Sequence, residues 1–311
     1  MNKIKICFLS HHFKTPEIFL ESILKMTPKR KGIWKNIVAV TNPNEADFYA
    51  IFDGYNGELH DEENKSIYFS QHPYTPYSPK HKMFENKKAL LKFPLKYYLN
   101  PGEWWIEYDY DYLSTLKAPV KDKNLCCIVT YQTHHKMYSN RLEFLRKFVI
   151  EYSLDLYGRP SEKFNQDTQL KQHYLGALGN NTYDAVKGEH IPGKNILKNY
   201  KYSIEFDVGP CINYFSERLY DSLLLWCLPF YFGSTNLHEY IPDGSFEYIN
   251  TNNSISKIIY CVNTDTRKNR LQYIAEARDL LLNKYQIWAY VHNVVNNIDK
   301  YRKEQKELKI L

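Results

Sequence analysis

Short apolar runs alternate with segments of helical period along almost the whole chain, and no other feature constrains the fold as much. Strands are expected at residues 4–9, 37–40, 48–52, 66–69, 125–130, 202–206, 228–232 and 246–249. Helices are expected at 16–26, 139–152, 214–226, 254–262 and 267–282, with a last one from 285 to about 308. Thr15 and Pro16 make a good helix start, because proline at the first helical position gives up an amide that would be unpaired anyway. Strands and helices in alternation predict an α/β protein with mostly parallel sheets.

Residues 117–124, rich in proline and charge, interrupt the pattern with strand-like runs on both sides. Two α/β domains of unequal size follow, residues 1–120 and 121–285, with 286–311 as a C-terminal helix and tail. A chain of 311 residues can hold two such domains without disulfide staples. Ligands of such sheets bind at the carboxyl ends of the strands, so the cleft between the domains is the expected site. The segment 164–195 is polar and irregular, and reads as loop.

With only 12 glycines, the chain has neither G-x-G-x-x-G nor G-x-x-x-x-G-K-[ST], so side chains must do more of any phosphate binding. The net charge of +6 is dispersed, which argues against nucleic acid and suits anionic small ligands. The six cysteines lie mostly in apolar runs without a C-x-x-C, and adjacent Cys126 and Cys127 face opposite sides of a strand. Reduced thiols and a cytoplasmic location are expected. The N-terminal apolar run is too short for a signal h-region, and no apolar stretch is long enough to span a bilayer. Residues 301–311 mix Lys and Arg with Leu and Ile, a composition that allows weak peripheral membrane contact. The pairs His11/His12 and His134/His135 lack metal-ligand spacing. Asp109-Tyr110-Asp111 imitates a D-x-D motif, but its aromatic surroundings read as an acceptor surface or a structural segment. No metal site is expected.

Residues 199–233 carry the chemistry: strand, loop, helix, strand, with Asn213 as helix N-cap and Glu217 and Arg218 in the first turn. Glutamate suits the positive end of a helix dipole, but arginine gains nothing there. Beside a diphosphate the pair makes sense. The helix N-terminus and Arg218 would hold phosphate oxygens, and Glu217 would accept from a ribose diol.

This region resembles the signature of family 10 glycosyltransferases, the α-1,3/4-fucosyltransferases. The family pattern is approximately Y-K-F-x-x-x-F-E-N-S/T, a short loop, Y-x-T-E-K, a helix and a proline-containing strand. The chain offers Tyr200, Lys201, Tyr202, Phe206 and Asp207, then Tyr214, Ser216, Glu217 and Arg218, then Pro229 and Gly233. The D-G-S-F at 243–246 and the block 128–160 are also similar to family elements; 46–52 and 67–76 match more loosely. The resemblance implies a GT-B-like fold of two Rossmann-like domains and inverting transfer of fucose from GDP-fucose to a glycan hydroxyl, with no metal or other cofactor required. It also implies that Arg141, Asp207, Tyr214, Glu217 and Arg218 bind the donor. His72 stands where bacterial members carry the glutamate proposed as general base, and imidazole can take that proton. Glu103, Glu107 and Asp53 are alternatives. Val208 replaces the family asparagine, which leaves another nucleotide sugar as a second donor. The exchange of glutamate for His72 leaves a catalytically inactive carbohydrate-binding relative as a third reading.

Overall fold

A computed structural model describes residues 3–73, 87–178 and 193–311. The N-terminal part contains β1 (Ile4–Ser10), α1 (Pro16–Leu24), β2 (Ile33–Trp34), β3 (Ile37–Val40), β4 (Phe48–Phe52), α2 (Glu62–Lys65), β5 (Ser66–Phe69), β6 (Leu91–Phe93) and α3 (Tyr110–Thr115). It continues into β7 (Lys123–Ile128), α4 (Lys136–Glu151), β8 (Asp155–Tyr157), α5 (Ser161–Gln166), β9 (Tyr174–Gly176), β10 (Tyr200–Cys211) and α6 (Glu217–Leu224). Then come β11 (Leu228–Ser234), β12 (Glu247–Tyr248), α7 (Ile255–Asn263), α8 (Leu271–Leu280), α9 (Ile287–Val295) and α10 (Ile298–Glu307).

The strands form two six-stranded sheets, ordered β2-β3-β1-β4-β5-β6 and β12-β11-β10-β7-β8-β9. All neighbours are parallel except β2 and β3. Counted in chain order, the second sheet has the doubly wound order 3-2-1-4-5-6, and the parallel strands of the first have the flavodoxin-like order 2-1-3-4-5. Each order reverses at one place: between β1 and β4 in the first sheet, and between β7 and β10 in the second. Crossovers on either side of such a point leave to opposite faces, so a crevice opens at the strands' carboxyl ends.

Burial explains why these runs became strands. The first sheet stacks Phe52 on Phe69 and Phe69 on Phe93, each pair with ring centroids 5.1 Å apart. Phe8 extends the ladder toward Trp288 of α9, at 4.6 Å. The last two helices thus return to the first sheet: Trp288 donates to the Ile23 carbonyl, and Gln305 accepts from the Lys92 amide at 2.9 Å. Aromatic pairs of this kind contribute about 0.5–1.5 kcal/mol each beyond their buried area.

Three helix expectations are corrected. The helix expected from 285 to 308 is two, α9 and α10, broken around Asn296 and Asn297. The helix expected at 267–282 opens as a 3-10 turn and closes in a π turn at Leu281–Tyr285. The helix expected from 214 begins at Glu217, and its cap is Ser216, whose hydroxyl accepts from the Arg218 amide. Asn213 lies in the left-handed region (φ 56°), and its side-chain amide donates to the Leu95 carbonyl instead. Thr15 does cap α1. The expected loop 164–195 contains part of α5 and the short strand β9; its residues 179–192, like Tyr74, Thr75 and Pro76 of the loosely matching segment 67–76, lie outside the described residues. Among the described residues all six cysteines are free, and no helix is long and apolar enough to cross a membrane.

Candidate functional site

Three residues just past β1, β4 and β5 converge at the first switch point: His12, Asp53 and His72. Asp53 is 4% exposed and has φ 58°, a conformation a non-glycine residue holds only against steric cost. Its amide donates to the Phe69 carbonyl at 2.9 Å, which fixes the turn. One carboxylate oxygen accepts from the Gln71 amide at 2.7 Å. The other, Oδ2, makes a short hydrogen bond with His72 Nδ1 and lies 3.6 Å from His12 Nε2. Burial opposes ionisation of Asp53, but the hydrogen bonds of His12 and His72 outweigh it and hold its pKa well below the usual carboxylate range. An ionised carboxylate requires a donor, so Nδ1 of His72 carries a proton, and in the neutral form of the ring Nε2, on its far edge, has the lone pair.

The second sheet supplies cations and a helix start. Asp207, 2% exposed, accepts from the Ser216 amide and hydroxyl and from Tyr231 Oη at 2.5 Å, so its carboxylate anchors the first turn of α6. Glu217 Oε1 pairs with Lys194 Nζ at 3.2 Å; burial opposes its charge, but Lys194 and Arg218 win and lower its pKa. Arg218 donates to the Ile128 carbonyl at the end of β7, at 2.8 Å. Arg141 of α4 donates to the Asp207 carbonyl of β10, also at 2.8 Å. The two guanidinium groups therefore flank the second switch point. Arg141 is 4% exposed and lies 4.5 Å from the Tyr138 ring centroid, and among the described residues it has no carboxylate partner. Its buried Nε also lacks a hydrogen-bond partner among the described residues. Burial and the nearby Arg218 lower its pKa to about 10. Two neighbouring like charges, Arg141 buried without a counter-ion and Arg218 half-buried, favour an anion beside them.

A cavity of about 180 Å³ joins the two halves, with His12, His72 and Glu103 on its wall opposite Tyr214, Ser216 and Glu217. Arg141 and Arg218 lie outside that lining. A larger cavity of about 690 Å³ also takes His72 as a wall, together with Tyr97, Ile212 and Lys309. The segment between the sheets locks onto α6: Asn100 exchanges hydrogen bonds with Phe215 at 3.2 Å, and Asp221 Oδ1 accepts from the amides of Trp105 and Ile106.

Among the alternatives for the base, Glu103 lines the smaller cavity with a pKa raised by burial and by Glu217. Glu107 instead accepts from Asn195 and lies outside both linings. Asp109 caps α3, and Asp111 accepts from the Lys29 amide, which makes the D-x-D a structural segment. Sequence spacing had set His12 aside; the fold puts it beside Asp53 and His72 because strand ends, not sequence neighbours, meet at a switch point. Lys194 carried no local signal, since its role exists only through Glu217 and Asp221.

Two doubly wound sheets facing one cleft define a GT-B-like architecture. A glycosyltransferase from Rickettsia africae ESF-5 shares it, with a TM-score of 0.52, 11% identity, and coverage of 97% of this chain and 100% of that one. In sequence, the chain is similar to fucosyltransferases. It is 27% identical over 186 residues to GDP-fucose protein O-fucosyltransferase 3 of Danio rerio, covering 59% of this chain and 36% of the relative. It is 23% identical over 146 residues to alpha-(1,3)-fucosyltransferase B of Drosophila melanogaster, covering 47% and 31%. The chain spans about a third of the length of these curated relatives. No family model matches it.

Proposed function

We propose that this protein is an inverting glycosyltransferase that moves fucose from GDP-fucose to a sugar hydroxyl of a glycan. The observation that carries the reading is one cavity lined both by a carboxylate-held imidazole and by the capped helix start at Ser216 and Glu217, with Arg218 as the next residue along that helix. The second sheet is the donor side. Arg141, Arg218 and the amides at the start of α6 would stabilise the charge that grows on the leaving diphosphate. Glu217, kept ionised by Lys194, would accept from the ribose diol, and Tyr214 would pack against the donor. Asp207 would contribute by holding the helix start in place.

The first sheet is the acceptor side. His72 Nε2 takes the proton from the acceptor hydroxyl as its oxygen attacks the anomeric carbon and the bond to the diphosphate breaks. Asp53 then faces an imidazolium it can stabilise through Nδ1. The family resemblance supports GDP-fucose as donor, and one relative, GDP-fucose protein O-fucosyltransferase 3 of Danio rerio, is named for that donor.

Thermal-shift titration with GDP, UDP and dTDP sugars, followed by transfer to an N-acetyllactosamine-like acceptor, tests the reading. GDP compounds should raise the melting temperature, and Arg218→Ala should lower kcat by about 10²–10³-fold, the range for removing a transition-state charge donor. Response to a non-GDP sugar alone would remove fucose. Unchanged turnover in Arg218→Ala would remove the diphosphate assignment.

A further inference from the structure

We propose that His12, Asp53 and His72 together form a binding site for one divalent transition ion of the zinc class. Each offers one ligand atom, and these atoms lie within 4.8 Å of one another. Two imidazoles and a carboxylate are the donor set that zinc and its neighbours take, whereas Mg²⁺ and Ca²⁺ prefer oxygen alone. Zinc bonds of about 2.0–2.1 Å in tetrahedral array need ligand atoms roughly 3.3 Å apart. His12 Nε2 and Asp53 Oδ2 are already 3.6 Å apart. His72 Nδ1 sits closer to the same oxygen because a proton bridges them. An ion would replace that proton, and the His72 side chain, 47% exposed, has room to back away.

The support around the site also matches a metal centre. The three ligands follow three adjacent parallel strands, so sheet pairing fixes their spacing. Asp53 Oδ1 is held by the Gln71 amide, and the Ser10 hydroxyl accepts from the His12 amide at 3.2 Å. Outer hydrogen bonds of this kind orient ligands and raise affinity. Three protein ligands leave a fourth position toward the cavity that His12 and His72 line.

One consequence rests on the proposed role of His72 as base. With the ion on the Nδ1 lone pair, the ring's one proton moves to Nε2. That nitrogen then donates and has no lone pair for an acceptor proton. Metal occupancy and general-base action therefore exclude each other, and the ion inhibits transfer.

The test uses the full chain, stripped with chelator and titrated with Zn²⁺ by calorimetry and with Co²⁺ by visible absorption. One equivalent should bind, with the intense visible bands of tetrahedral Co²⁺ and no competition from Mg²⁺. His12→Gln and Asp53→Asn should each weaken binding by more than the ~10–100-fold that loss of an outer-shell partner costs, with folding verified by circular dichroism. Absence of stoichiometric binding, or binding that survives both substitutions, overturns the site. In wild type, Zn²⁺ should suppress turnover and chelator should restore it; binding without loss of turnover refutes the competition at Nδ1. Stoichiometric binding in a chain that transfers no sugar under any condition would leave the site standing and defeat the functional reading.

Discussion

Replacing Asp53 by asparagine isolates the claim that His72 is a base only in one tautomer. The asparagine side-chain oxygen can keep the hydrogen bond from the Gln71 amide, now 2.7 Å long. Its NH₂ group then faces His72 Nδ1, which must become an acceptor, and the ring proton moves to Nε2. The volume barely changes, yet the lone pair that should receive the acceptor's proton is gone. General-base catalysis contributes about 10²–10⁴-fold, so kcat should fall by that factor, or roughly 3–5 kcal/mol of barrier. Donor binding should be untouched, because Arg141 and Arg218 stand at the other sheet's switch point. Initial-rate kinetics with GDP-fucose, varied against donor and acceptor separately, give the split between kcat and KM. Wild-type kcat in a folded Asp53→Asn protein would refute the dyad and turn attention to Glu103. A melt against pH is the control. Asp53 has a depressed folded pKa, so its stabilising contribution is present above the unfolded carboxylate value and is lost as pH falls through the folded one. The asparagine variant should therefore melt lower than wild type at neutral pH, with the gap closing in acid.

Further expectations concern the donor side and the interior. Arg141→Met should weaken GDP binding by about 10–100-fold, the worth of a charge-assisted hydrogen bond, and unchanged calorimetric affinity would take Arg141 out of the site. Lys194→Met leaves Glu217 and Asp221 without their shared cation. It should cost about 3–5 kcal/mol in denaturant melts, with less than additive loss when combined with Asp221→Asn; strict additivity would deny the coupling. Glu205 is 2% exposed, and burial raises its pKa to about 7 despite the hydrogen bond from Ser222. The folded state keeps a proton that the unfolded state has lost, so stability declines as pH rises from the ordinary glutamate value through 7, by an amount on the order of 3 kcal/mol. Glu205→Gln should thus gain melting temperature over wild type at pH 8 but not at pH 5, and an equal difference at both would exclude this linkage.

Much of the architecture was legible before any coordinates. The runs at 37–40, 48–52 and 66–69 match β3, β4 and β5 residue for residue; β4 and β5 are buried on both faces almost along their whole length, and such strands read as near-continuous apolar runs. The motif around Glu217 and Arg218 was equally visible, because helix, cap and flanking strands are contiguous. Its cap was misassigned by three residues, since a local preference for asparagine could not register that Asn213 would be used on Leu95 of the other half.

The sequence by itself therefore determined the two parallel sheets and marked the helix that starts at Glu217 and Arg218, both of which depend on local periodicity and on interactions between near neighbours. Only the tertiary structure decided how the ionisable groups pair. His12, Asp53 and His72 meet because the crossover order puts three strand ends side by side. Lys194 neutralises Glu217 and Asp221 across more than twenty residues of chain. Charge pairing falls off with distance in space and is blind to distance along the chain, and at this site the fold alone set the distances in space.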